Sequence, residues 1–435
     1  MPTPFPATDD EPVAFWKEFA DRHWERRPLC LPESPIQLMI GEAELLRALV
    51  RAADGTDRHR KAGMPRIVVT VDGRTQPIDV RPFLPSSADG SLDEYLTRVD
   101  EAARGHDWSV AVSGLHAVSA PMWDRAKRLS DDVHRYTGSR VAGRVDMDTF
   151  IGRYAATNVG VHVDHAGNFG FTVRGRKTLL TWPPDLAAQV PQHTADYAPA
   201  RHLSAPLVGT PGALTYFPSP YLHVGESPDV VSVNVNIAFF TRDDPAAPVL
   251  GAVGELLSRA RTRPRTPGGP TPEAPELPGH AAHGIPDGAA SVLRALTRLS
   301  HAELADAVWD RSMRSLTSGG LGVGRPAEPP VAVPRDARVR LRQDVVMRQR
   351  PLADRRRAIT AQGHVLRVAE HPRVASAVAA LEAGETVDLA QWERGADAEA
   401  VPLLHAVLLR LSTWRATEAV GASGADRAER VEPTR

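Results

Sequence analysis

Between Val159 and Pro184 the chain reads Val-Gly-Val-His-Val-Asp-His-Ala-Gly-Asn-Phe-Gly-Phe-Thr-Val-Arg-Gly-Arg-Lys-Thr-Leu-Leu-Thr-Trp-Pro-Pro. Its first part alternates apolar and polar residues, the pattern of a strand with side chains on opposite faces. On such a strand His162 and Asp164 share a face, about 7 Å apart along the backbone. A second histidine, His223, closes another strand-like run, Ala213 to His223. Two imidazoles and one carboxylate cover one triangular face of an octahedron and leave the opposite face open, the ligand set of non-haem Fe(II) oxygenases.

A His-x-acid triplet alone is a weak signal. His23-Trp-Glu25 and His301-Ala-Glu303 have the same spacing, but both lie in helical patterns, where residues two apart diverge around the axis. The stretch after Asp164 adds weight. Two strand segments, Asn168 to Val173 and Lys177 to Trp182, flank Arg174-Gly175-Arg176. This reads as a tight hairpin turn with a glycine free to take positive φ. The hairpin is expected to return Lys177 towards the metal strand. Basic residues here are nearly all arginine, the lysines being Lys17, Lys61, Lys127 and Lys177. A compact ammonium fits a narrow pocket better than a guanidinium, so Lys177 is expected to pair with a dicarboxylate co-substrate on the iron.

This block resembles the metal-binding core of the JmjC and cupin-like 2-oxoglutarate oxygenases, the group of the asparaginyl hydroxylases, ribosomal oxygenases and histone demethylases. The likeness to the asparaginyl-hydroxylase type is ungapped from His162 to Pro184. It implies His162, Asp164 and His223 as iron ligands, Lys177 on the far carboxylate of 2-oxoglutarate, and Asn168 and Asn236 lining the pocket. Many relatives carry a hydroxyl residue three positions before the first histidine, where this chain has Val159. Thr157 or Tyr154 is then expected to supply that hydrogen bond.

The flanks are read with that core in mind. Pro12 to Arg27 has a helical stripe of Phe15, Trp16, Phe19 and Trp24 and resembles the N-terminal helix of the same family. Helices follow at Glu42–Ala53, Leu92–Ala103 and Pro121–Tyr136, the last stopped by Gly138. Strands are read at Ile67–Val71, with a hairpin partner Ile78–Val80, and at Trp108–Val112 and Thr149–Tyr154. His193 and His202 fall in an irregular connection, outside any ligand spacing. In Asp229 to Thr241, Val231, Val233, Val235, Ile237 and Phe239 share one face and Ser232, Asn234 and Asn236 the other. A polar face close to His223 is expected to look into a catalytic lumen. The fold class expected is mostly β: a double-stranded β-helix (the JmjC/cupin barrel) with flanking helices, plus an α-helical and winged-helix-like C-terminal region.

A chain of 435 residues exceeds one ordinary domain. The reading divides it into 1–245, the catalytic domain with its N-terminal helices; 246–288, a helix and a Pro/Gly-rich linker; 289–334, a helical segment and linker; 335–420, a winged-helix-like domain; and 421–435, a disordered tail. Arg335 to Arg357 is dense in arginine, but few aromatics are interleaved and Asp336, Asp344 and Asp354 dilute the charge. Nucleic acid is therefore not the expected partner. The C-terminal helices are expected to dock on the barrel or on a second copy in a homodimer, and the arginine segment to meet an acidic partner.

The net charge of −1 gives no global pull towards nucleic acid or membrane. Cys30 is the only cysteine, so no intrachain disulfide forms. With no apolar run of spanning length and no signal-peptide core, a cytoplasmic setting is expected. The activity expected is that of an Fe(II)- and 2-oxoglutarate-dependent dioxygenase, using O2 to hydroxylate a C–H bond. The resemblance favours a protein or peptide side chain as substrate. An amino acid or other small biosynthetic metabolite is the enzymatic alternative, and a non-catalytic cupin-type binding module the alternative of another class.

Overall fold

The computed structural model describes residues 11–36, 38, 40–56, 65–75, 79–138, 144–241, 246–261 and 287–420. The acidic start, the Pro/Gly-rich stretch 262–286 and the tail 421–435 lie outside the described residues. The chain divides into two compact units: Met1–Asp243 with Ser318–Ala327, and Asp244–Thr317 with Glu328–Arg435.

In the first unit the elements run α1 (Glu11–Arg22), β1 (Leu29–Leu31), α2 (Glu42–Thr56), β2 (Arg66–Val71), β3 (Arg74–Thr75), α3 (Leu92–Ala103), β4 (Trp108–Ser113), α4 (Ala120–Thr137), β5 (Val145–Tyr154), β6 (Ala166–Arg174), β7 (Lys177–Trp182), β8 (Ala205–Gly209), β9 (Leu214–Phe217) and β10 (Leu222–Phe240). The large antiparallel sheet has the order β1-β9-β6-β10-β5-β4-β2-β3. A smaller one is built from β8, β7 and the first part of β10, with His162 bridged to His223 on its far side. The long strand β10 serves both sheets. It pairs with β7 over Leu222–Glu226 and with β5 and β6 from Val233 onward, its register shifting between Ser227 and Ser232. From β5 onward the chain winds from one sheet to the other and back, the double-stranded β-helix expected.

The alternation in β10 sorts as read. Val233, Val235, Ile237 and Phe239 are fully buried in the main core, on the side covered by helices. That core is closed by α1, whose Phe19 ring lies 4.8 Å from Tyr216 and 5.1 Å from Phe169. Gly138, φ 66°, ends α4 where its freedom from a Cβ is needed.

Three expectations are corrected. Residues 159–165 do not form a continuous strand: only His162 bridges, and His165 turns at φ 57° before β6 begins at Ala166. β6 and β7 are not a hairpin, because they pair with different parts of β10 and lie in different sheets. Gly175, φ 71°, makes a corner there, and a Cβ on it would collide with the carbonyl of Val231. The partner of β2 is Arg74–Thr75 rather than Ile78–Val80, of which Ile78 lies outside the described residues.

Residues 318–327, read from sequence as connection, pack into the first unit. The Arg325 guanidinium donates to both oxygens of Asp124 at 2.7 and 2.9 Å. Ser130 donates to Gly319 O at 2.6 Å, Trp123 Nε1 to Val323 O at 3.0 Å, and Val145 N to Gly320 O at 2.8 Å.

The second unit contains α5 (Ala246–Arg261), α6 (Asp287–Leu296), α7 (His301–Thr317), β11 (Arg338–Leu341), β12 (Met347–Pro351), β13 (Arg356–Ala361), β14 (His364–Ala369), α8 (Pro372–Glu382), β15 (Val387–Asp388), α9 (Leu389–Glu393), α10 (Ala400–Thr413) and β16 (Thr417–Val420). β12, β13 and β14 form a meander, and β11 lies between β15 and β16. From α8 to β16 the order is helix, strand, helix, helix, strand, as in a winged helix, but the third strand of the sheet is β11, from ahead of the first helix. Most of the arginine-dense segment is neutralised within the unit. Arg340 pairs with Glu418, Arg342 with Asp344, Arg348 with Glu382, Arg350 with Asp306, Arg356 with Asp354 and Arg357 with Glu370. No helix among the described residues is long and apolar enough to cross a membrane.

Candidate metal centre

His162 leaves the loop after β5, and its position is set by backbone. Val161 N donates to Thr194 O at 3.2 Å, and His162 and His223 exchange backbone hydrogen bonds of 3.1 and 2.9 Å. Gly160, φ 69°, lies so close to Thr194 that any Cβ would collide with it. The bridge brings the two imidazoles together, with ring centroids 4.4 Å apart. Asp164, just before the turn at His165, lies between them. Its Oδ1 is 3.1 Å from His162 Nε2 and its Oδ2 3.3 Å from His223 Nε2. The three residues offer ligand atoms all within 4.8 Å of one another, and form the one such group among the described residues. His193 and His202 are exposed and contribute no ligand atom to it.

The donor set suits a divalent metal. His162 Nδ1 is 2.8 Å from Gly160 O, so the proton belongs on Nδ1 and the Nε2 lone pair faces Asp164. His223 Nδ1 has a longer contact of the same kind, 3.4 Å to Tyr221 O. Burial opposes ionisation of Asp164, yet the two imidazoles hold its carboxyl far below the usual range. Burial also disfavours charge on His162, but the carboxylate of Asp164 outweighs it and raises the imidazole pKa. A carboxylate kept ionised between two Nε2 atoms is a donor set that fits a divalent cation.

The triad lines a cavity of about 230 Å³ inside the barrel, which also holds Lys177, Asn168, Asn236, Thr157 and Tyr154. Lys177 comes just after the Gly175 corner and points inward, 4% exposed. Its ammonium lies 4.5 Å from the centre of the Phe150 ring. Burial lowers its pKa to about 8, against the pull of the Asp164 charge. Arg153, another cation on this side of the sequence, is taken by Asp100 at 3.1 Å, and Arg176 is exposed. Asn168 keeps an unpartnered, buried Oδ1. Asn236 accepts from Asn234, which accepts from Thr172 at 2.9 Å. Thr157 Oγ1 accepts from Gly225 N at 3.4 Å, while burial pushes the Tyr154 phenol pKa upward.

Among the wall residues that escape the sequence reading are two on β5. Asp148 and Phe150 face this cavity from β5, while Met147, Thr149 and Ile151 between and beside them are fully buried on the opposite side. The alternation of Val145 to Tyr154 carries the signal, but a strand begun at Thr149 leaves Asp148 outside it. A roomier hollow of about 410 Å³ lies against β6 and residues 34, 36, 38 and 40–42. Its lining is largely apolar, with Glu42 the only titratable group among the described residues.

No family model and no curated protein matches the chain. Among solved structures it is similar to the ribosomal oxygenase YcfD of Escherichia coli, at 16% identity and a TM-score of 0.40, over 93% of this chain and 98% of that one. YcfD in complex with cobalt and 2-oxoglutarate gives 16% and 0.41 with the same coverage. An oxalate decarboxylase variant from B. subtilis is similar over 32% of this chain and 26% of that one, at 9% identity and a TM-score of 0.19.

Proposed function

We propose that this protein is an Fe(II)- and 2-oxoglutarate-dependent dioxygenase that hydroxylates a C–H bond. The observation that carries the reading is one cavity holding both the His162, Asp164, His223 group and the buried ammonium of Lys177. His162, Asp164 and His223 would hold iron(II), and Lys177 would hold the distal carboxylate of 2-oxoglutarate. Bound there, iron and co-substrate supply the oxygen chemistry: one atom of O2 enters the substrate C–H bond and the other leaves in succinate, with release of CO2.

The chain's own part is binding and shielding. Asp164 and the two Nε2 lone pairs fix the cation, and the backbone contacts at Gly160 and Tyr221 keep both rings turned towards it. Lys177 gains a counter-charge when a carboxylate enters, relieving a desolvated cation. Asn168, Asn236, Thr157 and Tyr154 present polar groups along the wall, and the aromatic rings of Phe150 and Phe217 narrow the space left to water.

A protein or peptide side chain is the substrate favoured, on the resemblance of the His162–Pro184 block, and the reducing cytoplasm the setting, on a chain with one cysteine. The test is succinate release with anaerobically supplied Fe(II), run against peptide and amino-acid pools. Turnover that needs both Fe(II) and 2-oxoglutarate and is abolished in Asp164→Ala supports the reading. Metal-independent turnover, or none with either pool, overturns it.

A further inference from the structure

A second His-x-acid triplet, His23-Trp24-Glu25, takes no part in the metal centre, yet its glutamate has a definite place in the fold. α1 ends at Arg22, and Glu25 turns at φ 54° before β1 begins. That conformation is uncommon for a residue with a side chain, and persists only where the surroundings hold it. Here they come from far along the chain. Glu25 N donates to the Tyr216 hydroxyl at 3.0 Å, and that hydroxyl donates to Glu25 Oε1 at 3.2 Å. Burial, then the Glu25 charge, push the phenol pKa well up, so the hydroxyl keeps its proton to donate. Oε1 also accepts from Ser219 N at 3.2 Å, and Oε2 accepts from the Ser219 hydroxyl. Gly167 on β6 makes room for this, since a Cβ there would collide with Oε1.

The contact with Ser219 matters because of what flanks it. Pro218 and Pro220 have no N–H, so Ser219 supplies the one backbone donor of that tripeptide, and it goes to Glu25. Two residues on, Tyr221 N donates to Pro218 O at 3.2 Å, and the Tyr221 hydroxyl donates to Arg26 O at 3.2 Å. The turn between β9 and β10 is thus pinned to residues 25 and 26 at both Ser219 and Tyr221. This turn leads into His223. The Phe217 ring just before it lies 4.3 Å from the His223 ring, and Tyr221 O is the contact of His223 Nδ1 at 3.4 Å. His162 has a shorter guide of its own in Gly160 O at 2.8 Å. His223 is the ligand whose aim depends on the turn.

We infer that Glu25 is a positioning residue of the metal centre: through Ser219 and the Tyr221 carbonyl it fixes the turn that aims the His223 ring. It touches neither metal nor substrate. This rests on the metal site proposed above and extends it to the end of the N-terminal helix. Partners of this outer kind set ligand orientation, and losing one weakens metal binding by roughly ten- to a hundredfold.

The test is an anaerobic Co(II) titration of the full chain with the visible spectrum of the bound cobalt, folding being checked by thermal melt. Glu25→Ala should bind Co(II) about tenfold or more weaker than wild type, and its cobalt bands at saturation should move towards those of His223→Ala. Glu25→Gln keeps an acceptor at Oε1 and should recover most of the affinity. Leu49→Ala opens a cavity in the same core from α2, away from the turn. It should lower the melting temperature yet leave Co(II) affinity within about twofold of wild type. Unchanged affinity in Glu25→Ala, no recovery in Glu25→Gln, or an equal loss in Leu49→Ala overturns the inference, the last by reducing Glu25 to a residue that only stabilises the fold. Should Glu25→Ala not fold, Ser219→Ala, which removes a single hydroxyl, decides by the same two readouts. A wild-type chain that takes up no Co(II) is a different outcome: it refutes the metal centre itself, and this inference falls with it.

Discussion

Replacing Lys177 by methionine should make the ligand-free protein more stable while it removes the anchor proposed for the co-substrate. The side chain is 4% exposed, and burial moves its acidity from the usual 10.5 to about 8. At about 1.4 kcal/mol for each factor of ten, the charged form costs the folded state about 3 kcal/mol. The Phe150 ring at 4.5 Å returns some of this by cation–π attraction, about 1–2 kcal/mol, leaving a net gain of about 1–2 kcal/mol for the neutral side chain. The dependence on pH has a definite sign. Below pH 8 the lysine is protonated folded and unfolded, and the penalty is full. Between about 8 and 10.5 only the unfolded chain keeps the proton, so wild-type stability climbs towards that of the variant. Thermal unfolding of metal-free, ligand-free protein at pH 7 should show Lys177→Met melting roughly 2–8 °C higher, with the gap shrinking by pH 10. In the same variant the 2-oxoglutarate requirement should rise by roughly ten- to a hundredfold, as lost charged hydrogen bonds do. A Lys177→Met protein that melts lower than wild type at pH 7, or a gap that does not change with pH, would refute the reasoning.

Other changes act on separate parts of the design. Asp164→Ala should lower Fe(II) or Co(II) affinity by roughly a hundredfold or more in an anaerobic titration, because it removes the one anionic ligand and leaves two neutral imidazoles. Gly175→Ala should cost about 1–2 kcal/mol in chemical denaturation, since the corner needs φ 71° and the new methyl would meet Val231 O; a neutral result would show that the corner relaxes. A chain ended after residue 286 lacks residues 318–327 and so loses the Arg325–Asp124 pair, the Ser130 and Trp123 hydrogen bonds and the buried Leu321. Its first unit should be about 3 kcal/mol or more less stable in denaturant than in the full chain. Unchanged stability would mean that this segment is dispensable to the barrel.

The contrast between β10 and the β6–β7 corner shows where sequence reading works. In β10 the apolar and polar residues alternate over a long run, and only one assignment of faces buries Val233, Val235, Ile237 and Phe239 together. At Arg174-Gly175-Arg176 the local signals for a hairpin and for a change of sheet are the same: a glycine at positive φ between two strands. The choice depends on β10, whose two ends draw β6 and β7 into different sheets. The 318–327 segment fails for a similar reason. Its composition is that of a loop, and it is held by a set of hydrogen bonds to α4 and β5, far away in sequence.

The sequence by itself determined the residue types of the candidate site, the spacing of His162 and Asp164, the polar face of β10 and the aromatic stripe of α1. The polar face and the aromatic stripe are written in periods of about two and four residues, which local backbone geometry turns directly into a shared face. Only the tertiary structure decided that His223 bridges to His162, that Lys177 lies buried against Phe150, and that Asp148 faces the same cavity with an unpartnered Oδ1. Those facts depend on which strands pair across long stretches of chain and on how far water is excluded. Periodicity specifies which way a side chain points, whereas charge, partner and burial are set by what the rest of the fold brings up against it.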